Sequence, residues 1–452
     1  MSDPWVIGMF QTGGLMGNWQ LSENTATEFL DLQHWIDMAR SLDAAGVDFL
    51  FFADDYGYPL IDGKLPPQAL RSGFLMPRAD PMAIIPALAA VTERLGLVVT
   101  LSTTVEKPPM VARKLATLDH ITKGRVGWNI VTGSGQNASA RLFGESMISH
   151  DVRYAIADDH VDLSLKLWEA CWDDDAVVVD RKGGVYADPD KVREITHDGP
   201  HFKADGVLAT PPGPQRTPVL FQAGASESGR ALAAKYAEGV FLASDIPAMR
   251  AQIADIRRRA EENGRDPHSI KCLIAGTFVV GETHEEAVAL QKRAESTRTL
   301  ADAALQYAYF TGIDLSRMDP DKPLDPALGL SDVGRTNVER FLGPDAPTVR
   351  EILEEFQRNS VMGAPFVGDA SQVVDQAAAA IAATGADGFL VQADPFGTFG
   401  GFVELVLPEM HRRGLVREAQ TDSTLRERLI GQPHLADDHP GAGHRSLRDS
   451  QG

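Results

Sequence analysis

Cysteine is almost missing from this 452-residue chain: Cys171 and Cys272 alone occur, in the ordinary apolar contexts LWEACW and IKCLIAG. Two isolated thiols exclude a disulfide framework and leave a thiolate metal centre without support. No run of 18 apolar residues exists, so no membrane-spanning helix is expected. Basic residues are outnumbered, 43 Lys and Arg against 63 Asp and Glu, for a formal net charge of −20. So acidic a surface argues against nucleic acid or an anionic membrane as partner, because both are held by a basic face. The opening MSDPWVIGMF has no basic stretch ahead of an apolar one. A secretory signal is therefore not expected, and the protein reads as soluble and cytoplasmic. With 43% hydrophobic and 23% charged residues, wholesale disorder is excluded as well.

What is present is alternation. Val6–Phe10, VDFLFFAD (Val47–Asp54), LGLVVTLST (Leu95–Thr103), RVGWNIVTG (Arg125–Gly133), PVLFQAG (Pro218–Gly224), GVFLAS (Gly239–Ser244), IKCLIAGTFVVG (Ile270–Gly281) and DGFLVQAD (Asp387–Asp394) are short and mostly apolar. Strands covered on both faces read in this way. Helical patterns separate them: Leu32–Ala44, a helix opened by Pro81 and closed by Gly96, Met110–Ile121 and Asp151–Trp172. Four more follow: one from Ser226, one with a basic face through Arg257–Arg259, one over His284–Tyr307 and one over Phe399–Arg413. Eight βα units in strict order predict an α/β protein with a (β/α)8 TIM barrel. A doubly wound open sheet has the same alternation, so closure stays open at this point.

The expected organisation is one barrel over residues 1–419 with a polar C-terminal arm over 420–452. Long excursions interrupt the barrel at about 55–80, 173–217 and 311–368. Barrel sites are built from loops after strand ends, so the first and third are candidate pocket walls or lids. The second follows a helix and reads as structural. The arm is expected to pack on a neighbour or stay loose.

Polar residues gather at the strand ends: Asp54-Asp55, Ser102-Thr103-Thr104, Asn129 with Thr132-Gly133-Ser134-Gly135, the run Gly224–Gly229, and Gln392 with Asp394. Each set alone is explained as helix capping; five sets around one barrel mouth point to a site. The sharpest is AGASESGR, where a strand ends, small residues admit a ligand, and Ser226 opens a helix. Free N–H groups, a hydroxyl and the helix dipole suit a phosphate there, with Arg230 either adding charge or facing solvent. Gly13, Gly14 and Gly17 make no dinucleotide fingerprint and read as a flexible loop. His197, Asp198 and His201 read as solvated residues of a hairpin rather than metal ligands, and His120 as a packed helix residue. His434, His439 and His444 belong to the tail. Asp54 and Asp394 would be the carboxylate pair of a barrel hydrolase, the alternative enzyme class.

At TLDHITKGRVGWNIVTG (Thr117–Gly133) the chain resembles the flavin-dependent monooxygenases of the bacterial luciferase-like superfamily. The particular group includes the nitrilotriacetate, dibenzothiophene-sulfone and long-chain alkane enzymes. The resemblance continues through SHDVRYAIADDHVDLSLKLWEACWDDDAVVVD, GVYADPDKVREITHDGPHFKADG, PQRTPVLFQAGASESGR, FVELVLPEMHRRGL and the tail TLRERLIGQPHLADDH. It implies a barrel assembled as a homodimer or homotetramer. It also implies FMN, supplied as FMNH2 by a separate NAD(P)H:flavin reductase, with O2 and a small organic molecule as co-substrates. Asp54 and Thr104 would lie beside the flavin ring, and Asn129 near the ring and the oxygen site. Gly133, His150 and Tyr154 would follow the ribityl and phosphate path, and Ala225, Ser226 and Glu227 would hold the phosphate. Thr103, Thr104 and Asn129 are the candidate catalytic residues. His150 has no signal of its own, since SHDVRY reads as a helix cap.

Relatives active on alkanes carry histidines where this chain has Gly14–Asn18, Ser134 and Gln306, which points away from an alkane substrate. Candidate pocket residues are Phe10, Met16, Tyr56, Tyr58, Phe74, Met76, Phe310 and Phe396, implying an apolar or aromatic substrate. Arg71 and Arg78 would pair either a substrate carboxylate or surface acids. A deazaflavin-dependent oxidoreductase on the same fold is a further alternative.

Overall fold

The computed structural model describes residues 3–15, 18–133, 136–325, 338, 341–343, 346–358, 365–418 and 423–449. Its eight central strands are β1 (Val6–Thr12), β2 (Phe49–Ala53), β3 (Gly96–Ser102), β4 (Val126–Val131), β5 (Val219–Gln222), β6 (Gly239–Leu242), β7 (Lys271–Val280) and β8 (Gly388–Gln392). All pair in parallel, and β6 pairs with both β5 and β7, so the sheet closes. The barrel is thus closed, and the open-sheet alternative falls. The helices of the outer ring are α1 (Leu32–Ala45), α2 (Pro81–Ala89), α3 (Pro108–Ile121), α4 (His150–Ala170), α5 (Glu227–Tyr236), α6 (Ile246–Glu262), α7 (Ala370–Thr384) and α8 (Leu407–Arg412).

The nearly continuous apolar strands follow from two cores that meet at the sheet. Val6, Phe49, Phe51, Val98, Val219, Phe221, Leu273 and Leu390 fill the barrel interior. Their neighbours Ile7, Leu50, Phe52, Val99, Leu220, Ile274 and Phe389 face the helices. Side chains alternate across a strand, so a strand buried on both faces has no polar position to spare. Aromatic rings set the interior spacing: Phe10 stacks on Phe51 at 6.0 Å between centroids and meets Phe241 at 5.9 Å.

Several local expectations are corrected. Helix α2 stops at Ala89, and Gly96 begins β3 instead of closing that helix. An added Cβ at Gly96 would meet the Phe49 Cβ at 2.8 Å, so strand packing explains the glycine. The pattern over His284–Tyr307 is two helices, His284–Ser296 and Leu300–Thr311, each opened by a Thr capping box at Thr283 and Thr299. Neither belongs to the ring. The seventh ring helix is α7, capped by Asp369 and ended by Gly385 at φ +73°. Its buried residues are Val373, Val374, Ala377, Ala380 and Thr384, so its apolar stripe is largely alanine and faint in sequence. The chain between β7 and α7 carries a small core of its own around Tyr307, Leu315, Ile352 and Phe356.

The C-terminal arm lies against its own barrel. Leu425 and Leu429 plug the end of the barrel interior beneath Phe49 and Val98. Arg426, fully buried, pairs with Glu238 at 2.7 Å and donates to the carbonyls of Gln215 and Pro218 at 3.0 and 2.9 Å. His439 is buried too, its ring bonded to the Tyr236 carbonyl at 2.8 Å. Among the described residues no helix is long and apolar enough to cross a membrane.

Candidate active site

Strand pleating aims Phe10, Asn129, Thr277 and Gln392 into the mouth at the C-terminal end of the barrel, where barrel enzymes place their chemistry. Asn129 is held by a relay: Thr100 Oγ1 donates to the Phe52 carbonyl at 2.7 Å and accepts from Asn129 Nδ2 at 2.9 Å. That fixes the amide and leaves Oδ1 buried, with no hydrogen-bond partner among the described residues. Thr277 Oγ1 and Gln392 Nε2 are likewise buried without a hydrogen-bond partner among the described residues. Unpaired buried polar atoms cost roughly 1–3 kcal/mol each, so several at one barrel end mark a place where a polar ligand supplies the partners.

Beyond them lies a cavity of about 290 Å³ walled by Phe10, Leu15, Trp19, Phe74, Leu75 and Phe310. Its walls come from the loop after β1, the first excursion and the helix Leu300–Thr311. Trp19 is tied down by its Nε1 donating to the Ser72 carbonyl at 2.8 Å. Gly13 and Gly14 are packed, contrary to the flexible loop expected at Gly13, Gly14 and Gly17; Gly17 lies outside the described residues. Ala79 N–H donates to the Gly13 carbonyl at 2.6 Å, and a Cβ at Gly13 would meet Ala79 O at 2.2 Å.

On the opposite flank, Ser226 caps α5 with its Oγ accepting from Gly229 N–H at 3.1 Å. Tyr154 OH stands 3.5 Å from the same Oγ, and the Tyr154 ring lies 4.9 Å from that of His150. Gly133, at φ +87°, receives Arg153 Nη1 on its carbonyl at 2.6 Å. The structure therefore brings together Ser226 and Tyr154, with His150 beside Tyr154. Glu227 points away, 3.3 Å from Arg259. Arg230 is not free to meet a ligand, being paired with Asp255 at 2.6 Å and bonded to the Ala225 carbonyl. The small residues serve chain packing: a Cβ at Gly224 would meet Gly229 Cα at 3.0 Å.

At the end of β3, Thr103 Oγ1 donates to the Val131 carbonyl at 3.2 Å, and Thr104 Oγ1 lies 3.0 Å from Ser102 Oγ. Asp54 meets Arg78 at 3.7 Å and accepts from Asp55 N–H at 2.9 Å. Burial nevertheless raises its pKa to about 6, against the pull of Arg78. Asp394 is occupied by its own turn, accepting from Phe396 N, Thr398 N and Thr398 Oγ1 at 2.9, 3.0 and 2.9 Å. Both carboxylates expected of a hydrolase are thus engaged locally, and the described residues contain no His, Cys, Asp and Glu group able to hold a metal. His197 is buried, not solvated, its Nε2 2.9 Å from Asp159, whereas His120 is exposed and bonds the Pro211 carbonyl.

Of the expected pocket residues, Phe10, Phe74 and Phe310 line the cavity. Tyr56 is exposed against Phe143, Phe396 lies under Arg293, and Tyr58 and Met76 are part-buried outside that lining. Met16 and Ser134 lie outside the described residues. Arg71 is exposed. Thr277 and Trp19 escaped the sequence reading because a single polar or aromatic residue near a strand end has no distinctive spacing.

The sequence profile of the luciferase-like monooxygenases matches residues 12–388. The long-chain alkane monooxygenase of Geobacillus thermodenitrificans (strain NG80-2) is 37% identical, covering 95% of this chain and 94% of that protein. The dimethyl-sulfide monooxygenase of Hyphomicrobium sulfonivorans is also 37% identical, over 95% of this chain and 90% of its own. A riboflavin lyase solved with modified FMN and riboflavin superposes with a TM-score of 0.91 at 38% identity, covering 98% of this chain and 100% of that one. The chain belongs to the luciferase-like monooxygenase family and is a flavin-dependent monooxygenase on a (β/α)8 barrel.

Proposed function

We propose that this protein is the oxygenating half of a two-component system. It takes FMNH2 from a separate NAD(P)H:flavin reductase and, with O2, oxygenates a small apolar or aromatic organic molecule. The observation that carries the reading is the set of polar atoms at Asn129, Thr277 and Gln392 without partners among the described residues, together with the serine-capped helix start after β5. A ring system with amide-like edges and a phosphate tail suits both halves. Reduced flavin, when bound, supplies the electrons that let one oxygen atom enter the substrate while the other leaves as water.

The chain itself binds, orients and excludes water. Ala225, Ser226 and the backbone N–H of Glu227, whose carboxylate turns to Arg259, with Tyr154, His150 and Gly133, are the proposed phosphate and ribityl side, using α5's free N–H groups and dipole. Asp54, Thr104 and Asn129 are proposed to border the ring. Asn129 presents a fixed acceptor there, while Thr103 and Thr104 offer hydroxyls at the oxygen side. Phe10, Trp19, Phe74 and Phe310 keep the cavity dry, which strengthens every polar contact made inside it.

The test is anaerobic titration with FMNH2 followed by an oxygen pulse watched by rapid-scan absorbance. Tight binding, and reoxidation on a course distinct from free FMNH2, are expected. Ser226→Ala combined with Tyr154→Phe should weaken FMNH2 binding by about 1–3 kcal/mol through lost hydrogen bonds to phosphate. Unchanged affinity in the double variant would move the phosphate elsewhere. Absence of FMNH2 binding in the unaltered protein would overturn the reading.

A further inference from the structure

One wall of the cavity bears a charge that flavin binding leaves unexplained. Arg298 sits in the link between the helices His284–Ser296 and Leu300–Thr311. It lines the main cavity and also an adjoining one of about 70 Å³, the two sharing Asn18, Thr277, Ala393 and Asp394. Its backbone is anchored, N–H donating to the Glu295 carbonyl at 3.2 Å and its carbonyl accepting from Gln357 Nε2 at 2.7 Å. Next to it, Thr297 Oγ1 donates to Asn18 Oδ1 at 2.8 Å, tying the link to the loop after β1. The Arg298 guanidinium itself has no hydrogen bond and no ion pair within 4.0 Å among the described residues.

The nearby acids do not neutralise it. Asp302 is spent on its own helix cap, accepting from Thr299 N and Oγ1 at 2.9 and 2.7 Å, and on Gln68 Nε2 at 2.8 Å. Asp394 is held by its own turn, as described above. Glu295 faces the smaller cavity and acts on Arg298 only through its field, while Arg358 adds a second positive charge at that cavity's exposed edge. A guanidinium with five donors, partly stripped of water beside Phe10, Phe74 and Phe310, is a site for an oxyanion.

We propose that Arg298 determines specificity by pairing with an anionic oxyacid group, a carboxylate or sulfonate, at one end of an otherwise apolar or aromatic substrate. The inference rests on reading this cavity as the oxygenation site. It makes the substrate amphiphilic: the anionic end turns toward the smaller cavity, and the apolar body lies along Phe10, Phe74 and Phe310.

Binding of 4-phenylbutyrate and 4-phenylbutyramide, which match in size, is compared by calorimetry on the full chain at pH 7.5. Octanoate and octanamide provide a second pair. The acids are expected to bind about tenfold or more tightly than the amides, as a charge-assisted pair requires. Arg298→Gln should erase that preference and leave amide affinity unchanged, whereas Arg298→Lys should retain part of it. No acid preference in either pair, or a preference that survives Arg298→Gln, overturns the proposal. FMNH2 binding is measured separately on the same protein. A chain that binds FMNH2 without discriminating acid from amide loses the anion site alone. A chain that discriminates but binds no flavin loses the flavin placement alone.

Discussion

Asp54 shows at the scale of one residue how a strand end tunes chemistry. Burial disfavours its charged form and outweighs the attraction of Arg78, so its pKa rises to about 6. A folded-state pKa above the unfolded value means that stability is greatest with the proton on. That contribution is complete below about pH 4 and is lost as pH rises through about 6. Asp54→Asn should therefore be nearly neutral at pH 4.5 and stabilising at pH 7.5, by on the order of 2 kcal/mol. Urea denaturation at the two pH values reads this directly, and an equal effect at both would show an unshifted carboxyl. The aspartate was legible in sequence as a polar residue closing an apolar strand. Its burial was not, because the first excursion and Arg78 cover it from elsewhere in the chain.

At the scale of elements, the hairpin Ile195–Asp198 and Lys203–Gly206 is fastened to α4 chiefly through Asp159, with Lys166 donating to the Thr196 carbonyl at 3.3 Å and Asp162 3.7 Å from His197. Asp159 accepts from His201 N and Phe202 N at 2.7 Å each and from His197 Nε2 at 2.9 Å. Burial alone would raise its pKa, but those hydrogen bonds and His197 hold it below the ordinary carboxylate range. Asp159→Ala leaves two N–H groups without their acceptor and His197 Nε2 without its carboxylate, and should destabilise by about 2–4 kcal/mol at neutral pH. A depressed pKa contributes stability above the unfolded value, so the penalty should shrink as pH falls below about 4. Denaturant midpoints across that range check both size and sign. The turn itself was readable from THDGPHF, but the acid that reaches it lies some 40 positions away in sequence, beyond any local pattern.

At the scale of the whole molecule, the C-terminal arm locks the end of the barrel opposite the cavity. Arg426 and Glu238 are buried together, and Leu425 and Leu429 close the interior beneath the strands. Arg426→Ala strands the Glu238 carboxylate in an apolar setting and should cost about 3–5 kcal/mol, lowering the midpoint of chemical unfolding sharply. A loss below about 1 kcal/mol would show that the arm is dispensable to the barrel. Ring helix α7 belongs to the same scale. Its cap Asp369, its N3 partner Gln372 and its stop Gly385 were all in the sequence, but an alanine-rich stripe carries little periodic signal. The excursion ahead of it supplied more conspicuous helices.

Sequence by itself determined the eight strands and the serine-opened helix α5, because continuous apolar runs and N-caps are local statements about burial and backbone hydrogen bonding. It carried the family as well, through long shared stretches across nearly the whole chain. Only the tertiary structure decided that the sheet closes and that the arm plugs its own barrel. It alone decided which polar side chains at the mouth lack partners among the described residues, and that Arg298 lines the cavity with no counter-ion among them. Each of these depends on what another part of the chain brings within a few ångströms, and no pattern of neighbours in sequence records that.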